Sequence, residues 1–201
     1  MSSYSTPWIL ESSDEPTSTG VPHGKLGMWV FLASEVMLFG SLISSYIVLR
    51  LGSPLFIVPS HEMLSVPVAF VNTLVLIVSS VTMVLALASI QQDNPKGMIW
   101  YLAATIACGL IFLTVKCWEY PHKWHEGITI SSGLYGSFYF TMTGLHGIHV
   151  LGGVLFNLYI LVRGLKGHWS PRRCERVEYA GIYWHFVDLV WVVLFPLLYL
   201  L

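Results

Sequence analysis

The chain has 201 residues, of which 10% are charged and 55% hydrophobic, and its mean hydropathy is +0.67. Soluble domains carry about 25% charged residues, so a water-facing shell is excluded, and ten Lys+Arg against eleven Asp+Glu, net charge −1, exclude a nucleic-acid footprint. The composition is that of an integral membrane protein. Cys108, Cys117 and Cys174 are dispersed along the chain and read as free thiols, not a disulfide framework. Residues 1–24 are rich in Ser, Thr and Pro and acidic. They lack the basic and apolar regions of a cleaved signal and read as a mobile polar tail ahead of a bundle over 25–201.

A membrane span needs about 20 mainly apolar residues, and five segments qualify in chain order. The first, 26–49, lies between Lys25 and Arg50 and carries a single charge, Glu35. The second, 66–90, has none and opens with Pro67, suited to a first helical turn. The third, 97–115, is bracketed by Lys96 and Lys116. The fourth, 134–162, lies in a stretch free of Asp, Glu, Lys and Arg, and the fifth, 179–201, carries His185 and Asp188. Pro196 should kink that last helix. The alternation of a β-barrel is absent. The expected fold is an all-α bundle of five transmembrane helices.

Lys25, Lys96, Arg163, Lys166, Arg172, Arg173 and Arg176 fall on one side of these spans, and Arg50, Lys116 and Lys123 on the other. The excess places the N-terminus inside and the C-terminus outside. Trp29, Tyr46, Trp100, Tyr101, Trp118, Tyr179 and Tyr183 collect near span ends, as an aromatic belt would.

A carboxylate at mid-membrane costs about 2.5–3.5 kcal/mol on the insertion scale, so Glu35 should face protein and be hydrogen-bonded. Gly27, Ser34, Ser41 and Ser45 form a strip of small residues suited to close helix packing. In the fourth span Tyr139, Thr143, His146, His149, Gly153 and Asn157 share one helical face. In the fifth, Gly181, Trp184, His185, Asp188, Trp191 and Tyr199 do the same. At 1.5 Å per residue, Glu35 lies about 15 Å from the inner end of its helix, His149 about 20 Å and His146 about 25 Å. Depth therefore favours a Glu35–His149 pair, with His185 and Asp188 forming a second pair one turn apart.

Other chemistries use the same residues. HxxH at 146 and 149 with Glu35 could make a two-His-one-carboxylate metal set, and His146 or His149 with His185 could hold a haem. No convincing metal cage or nucleophile emerges, and neither metal ligands nor catalytic residues are assigned. Glu119, His122, His125 and Glu126 superficially resemble a ligand set but read as a solvated interfacial loop.

The blocks GKLGMWVFLASEVMLFGSL (24–42), YGSFYFTMTGLHGIHVLGGV (135–154) and VEYAGIYWHFVDLVWVVLFPLLYLL (177–201) closely resemble subunit III of the haem-copper respiratory oxidases. The resemblance runs from about Gly24 onward. Many members have seven helices, and the first two have no counterpart here, as in the five-helix bacterial form. The resemblance implies a non-catalytic subunit with no redox centre of its own, haem and copper lying in subunits I and II. It implies packing against subunit I, support of its proton uptake and durability, and bound phospholipid, although the wall of the family's lipid cleft is incomplete here. The family's buried glutamate falls on Glu35, its histidines on His146 and His149, and its WHFVD segment on Trp184, His185 and Asp188.

The expected protein is thus the third subunit of a proton-pumping terminal oxidase that reduces oxygen to water, of the cytochrome c type, in a prokaryotic inner membrane. Its partners would be subunits I and II, membrane lipid and a larger respiratory supercomplex. A quinol oxidase subunit III is the alternative within the family. A proton-coupled transporter is the alternative outside it, although no inverted repeat or pair of broken helices is visible.

Overall fold

Hydrocarbon offers no water to backbone N–H and C=O groups, so an apolar run that crosses it must close its hydrogen bonds internally as a helix. Each of the five runs does so. A computed structural model describes residues 23–57, 66–166 and 175–200. The helices are α1 (His23–Gly52), α2 (Val66–Gln91), α3 (Pro95–His125), α4 (Leu134–Leu165) and α5 (Glu175–Phe195), the last continued by a π-helical turn, Pro196–Leu200. Five helical segments are long and apolar enough to cross a membrane, and no strand occurs among the described residues. The protein is a multi-pass membrane protein. Most of the N-terminal tail, Arg172, Arg173 and Cys174 lie outside the described residues.

Local chemistry sets the helix ends. Between α2 and α3 the chain reverses through Asp93, whose φ of 58° is one that Asp tolerates better than most residues. Asn94 then caps α3 by accepting the Gly97 N–H at 3.0 Å, with Pro95 in the first turn. Pro196 ends the regular α-helix of the last span, as the sequence suggests it should interrupt it, and opens a π-helical turn. The wider π turn takes up the missing N–H and the ring. Two of the carbonyls there receive phenols: Tyr46 Oη donates to Leu197 O at 3.1 Å and Tyr135 Oη to Leu198 O at 2.8 Å. Tyr46 is therefore fully buried and is not part of an interfacial belt.

The largest departure is α3, which runs on from Val115 to His125 with Pro121 inside it. Lys116 does not end the helix. Lys116, Glu119 and Lys123 recur at i, i+3 and i+7, which puts them on one face. That face is buried and pairs internally, so the helix need not stop at its first charge.

Burial grades the helices. Over its most apolar window α5 is 56% buried and α1 only 6%, so α5 is the axis and α1 a peripheral strut. Trp184 of α5 fills a notch that Gly109 of α3 and Gly153 of α4 leave open. A Cβ at either glycine would lie 2.7 or 2.8 Å from its ring. Its Nε1 donates to Ser79 Oγ at 3.0 Å, and Trp191 Nε1 donates to Thr73 Oγ1 at 2.9 Å, which ties α5 to α2. Overpacking a filled core typically costs about 1–3 kcal/mol. Gly153→Val and Gly109→Val are expected to lower the denaturant midpoint by that order, whereas Gly144→Ala, where a Cβ meets its neighbour at an ordinary 3.8 Å, should not.

The small-residue strip of α1 does not pack within this chain. Gly27, Ser34, Ser41 and Ser45 are exposed, and the Ser34 and Ser41 hydroxyls donate back to Phe31 O and Leu38 O. The polar faces of α4 and α5, by contrast, turn inward: Tyr139, Thr143, His146, Gly153, Asn157, Gly181, Trp184, Asp188, Trp191 and Tyr199 are all buried.

Candidate functional site

The peripheral helix is held to the bundle at three levels. At one end Lys25 Nζ donates to Glu178 Oε1 at 2.7 Å. At the other, Arg50 Nη1 donates to Tyr46 Oη at 3.0 Å and to Leu197 O at 3.5 Å. Between them Glu35 Oε2 lies 2.8 Å from His149 Nε2 of α4, both side chains largely buried. The pair agrees with the depth argument.

The proton inventory of this pair is fixed by its surroundings. His149 Nδ1 faces Leu145 O at 2.8 Å, and a carbonyl only accepts, so Nδ1 carries a hydrogen. The contact between Nε2 and Glu35 then holds one proton, on the carboxyl or on the imidazole. Phe39 covers the ring edge-on at 5.2 Å, and Tyr183 Oη donates to His149 O at 3.0 Å. The arrangement holds one proton at the α1–α4 seam.

His185 and Asp188 do not pair with each other. Ser80 of α2 reaches between them, its Oγ 2.6 Å from His185 Nδ1, and both buried Asp188 oxygens lack a well-formed hydrogen bond. A hydroxyl from a neighbouring helix outcompetes an i, i+3 contact along α5. His146 is fully buried, its ring stacked on Trp191 at 5.0 Å and edge-on to Phe112 at 5.5 Å, with neither nitrogen hydrogen-bonded. The set fits a metal or haem poorly, since His149 has both nitrogens engaged and His146 is walled in by rings. Among the described residues no three His, Cys, Asp or Glu side chains form a metal-binding group.

The reading of Glu119 as part of a solvated loop is wrong. His122 and His125 are exposed in the last turns of α3, but Glu119 is 2% exposed and sits in a network the sequence did not announce. Lys116 Nζ donates to Glu119 Oε2 at 2.8 Å and to Tyr199 Oη at 2.7 Å. Tyr139 and Tyr199 both donate to Glu119 Oε1, at 2.9 and 2.8 Å. The ammonium also lies 4.5 Å from the Trp191 ring centroid, within cation–π range. One turn on, Lys123 Nζ donates to Glu126 Oε2 at 3.0 Å. The signal available was the i, i+3, i+7 spacing of Lys116, Glu119 and Lys123, together with Tyr139 and Tyr199 on the inward faces of α4 and α5.

These features define a class: an all-helical membrane protein with a largely apolar exterior that buries two ionisable pairs, Glu35–His149 and Lys116–Glu119, among its helices. Comparison with known proteins narrows it. Residues 11–201 match the family described as "Cytochrome c oxidase subunit III". Cytochrome c oxidase subunit 3 of Bacillus subtilis (strain 168) is 36% identical over 180 residues, covering 88% of this chain and 85% of the relative. The protein of the same name from Corynebacterium diphtheriae is 37% identical over 177 residues, covering 87% and 86%. A probable quinol oxidase subunit 3 of Staphylococcus saprophyticus is 29% identical over 177 residues, covering 88% of each. The chain belongs to the cytochrome c oxidase subunit III family, the subunit III family of the haem-copper oxidases.

Proposed function

We propose that this chain is the non-catalytic third subunit of a proton-pumping oxidase of the cytochrome c type, seated in a bacterial inner membrane with its N-terminus inside. In that reading it packs against subunit I in company with subunit II, leaves the haems and copper to those partners, and supports proton uptake and durability of the catalytic subunit. The observation that carries the role is the Glu35–His149 contact, a largely buried seam that shares one proton in the N-terminal half of α1. The relatives that support the electron donor are the cytochrome c oxidase subunits at 36% and 37% identity, against 29% and 31% for probable quinol oxidase subunits.

The donor is tested on the intact complex purified through a tag on this chain. Oxidation of reduced cytochrome c with consumption of oxygen is expected. Turnover with quinol alone would assign the complex to the quinol branch instead.

A further inference from the structure

Three oxygens meet inside the bundle where α3 ends and α4 begins. Tyr139 Oη and Tyr199 Oη lie 2.9 and 2.8 Å from Glu119 Oε1, and 2.8 Å from each other. Oxygens at this separation have a hydrogen between them; without one, two sets of lone pairs face each other. Three edges therefore need three hydrogens. Each phenol brings one, and an ionised carboxylate brings none. Lys116 does not supply the third, because its ammonium donates from outside the triangle, to Glu119 Oε2 and to Tyr199 Oη. The ion-paired form thus leaves one edge a hydrogen short.

We propose that the Lys116–Glu119–Tyr139–Tyr199 cluster is a proton-binding site that takes up one exchangeable proton at Glu119 Oε1. The added hydrogen completes a ring in which Glu119 donates to Tyr139, Tyr139 to Tyr199 and Tyr199 back to Glu119. No heavy atom has to move. The ammonium stays seated on Glu119 Oε2 and over the rings of Trp191 and Tyr199, at 4.5 and 5.0 Å, which offset the charge that Glu119 no longer balances.

The groups nearest the cluster that meet water lie on the following turn of its own helix. On the next turn of α3 Lys123 donates to Glu126, whose side chain is 25% exposed. Glu126 lines a cavity of about 280 Å³ with Tyr135, and Tyr135 stacks on Tyr139 at 6.0 Å. The other ionisable groups around the cluster are His146, behind Trp191, and Tyr120, 6.5 Å from Tyr139 between ring centroids and hydrogen-bonded to Thr143. Neither enters the triangle. A site of this kind, at the end of the bundle away from Lys25 and Glu178, stores a proton independently of the Glu35 seam.

Infrared difference spectra of the whole complex, recorded as the pH is lowered, read the site directly. The wild type should gain a carboxylic-acid C=O band that moves on ¹³C-labelling of glutamate. The band should survive in Glu35→Gln and be lost in Glu119→Gln, whose amide fills the third edge permanently. Tyr199→Phe, which leaves one phenol for one edge, should lose it too and serves if Glu119→Gln does not assemble. A band of unchanged size in Glu119→Gln or Tyr199→Phe, or no glutamate band in the labelled wild type, overturns the proposal.

Discussion

Glu35→Ala is expected to slow proton uptake by the assembled oxidase and shorten its lifetime during turnover. The substitution leaves His149 Nε2 facing no partner, while Nδ1 stays committed to Leu145 O, so the ring cannot re-pair by changing tautomer. An unsatisfied buried polar group costs about 1–3 kcal/mol, and the α1–α4 seam should weaken by that order. Glu35→Gln separates the two roles. Its amide donates to Nε2 and keeps the seam closed, but it cannot give up a proton. Stopped-flow proton uptake should therefore fall in both variants, and the denaturant midpoint only in Glu35→Ala. Wild-type uptake in Glu35→Gln would reduce Glu35 to a structural role.

The second large effect lies at the other end of the bundle. Glu119→Ala leaves the Lys116 ammonium buried without its carboxylate and deprives two phenols of their acceptor. Removing one partner of a buried ion pair typically costs about 3–5 kcal/mol. The variant is expected to accumulate poorly or to unfold at a clearly lower denaturant concentration. Lys116→Met combined with Glu119→Ala removes the stranded charge and should recover part of the loss, because a buried pair is worth less than the penalty for halving it. A double-mutant cycle on the denaturant midpoint measures the coupling. Additive losses would mean that the pair is not coupled in the folded bundle.

The five spans were legible because hydrocarbon imposes one rule, a long apolar run closed on itself, and hydropathy reports that rule directly. The Glu35–His149 contact was legible for a similar reason: helical rise converts sequence position into depth, and two polar groups at like depth on neighbouring helices seek each other. What one helix's spacing cannot reveal is the competitor on another. Ser80, on α2, holds His185 Nδ1 at 2.6 Å and leaves Asp188 apart from it. Lys116 misled for a different reason. Read singly, a lysine at the end of an apolar run marks the membrane boundary; read with Glu119 and Lys123, it is one position on a polar face that the bundle covers. Pro196 announces an interruption of the α-helix, but not its form, a π turn whose carbonyls accept from Tyr46 and Tyr135 on other helices.

A subunit III works within an oxidase and not alone. The most direct measurement is the subunit composition of the complex recovered through a tag on this chain in mild detergent. A haem-copper catalytic subunit in near-equal amount is the predicted result. A lone, stable polypeptide carrying its own haem or copper would contradict it.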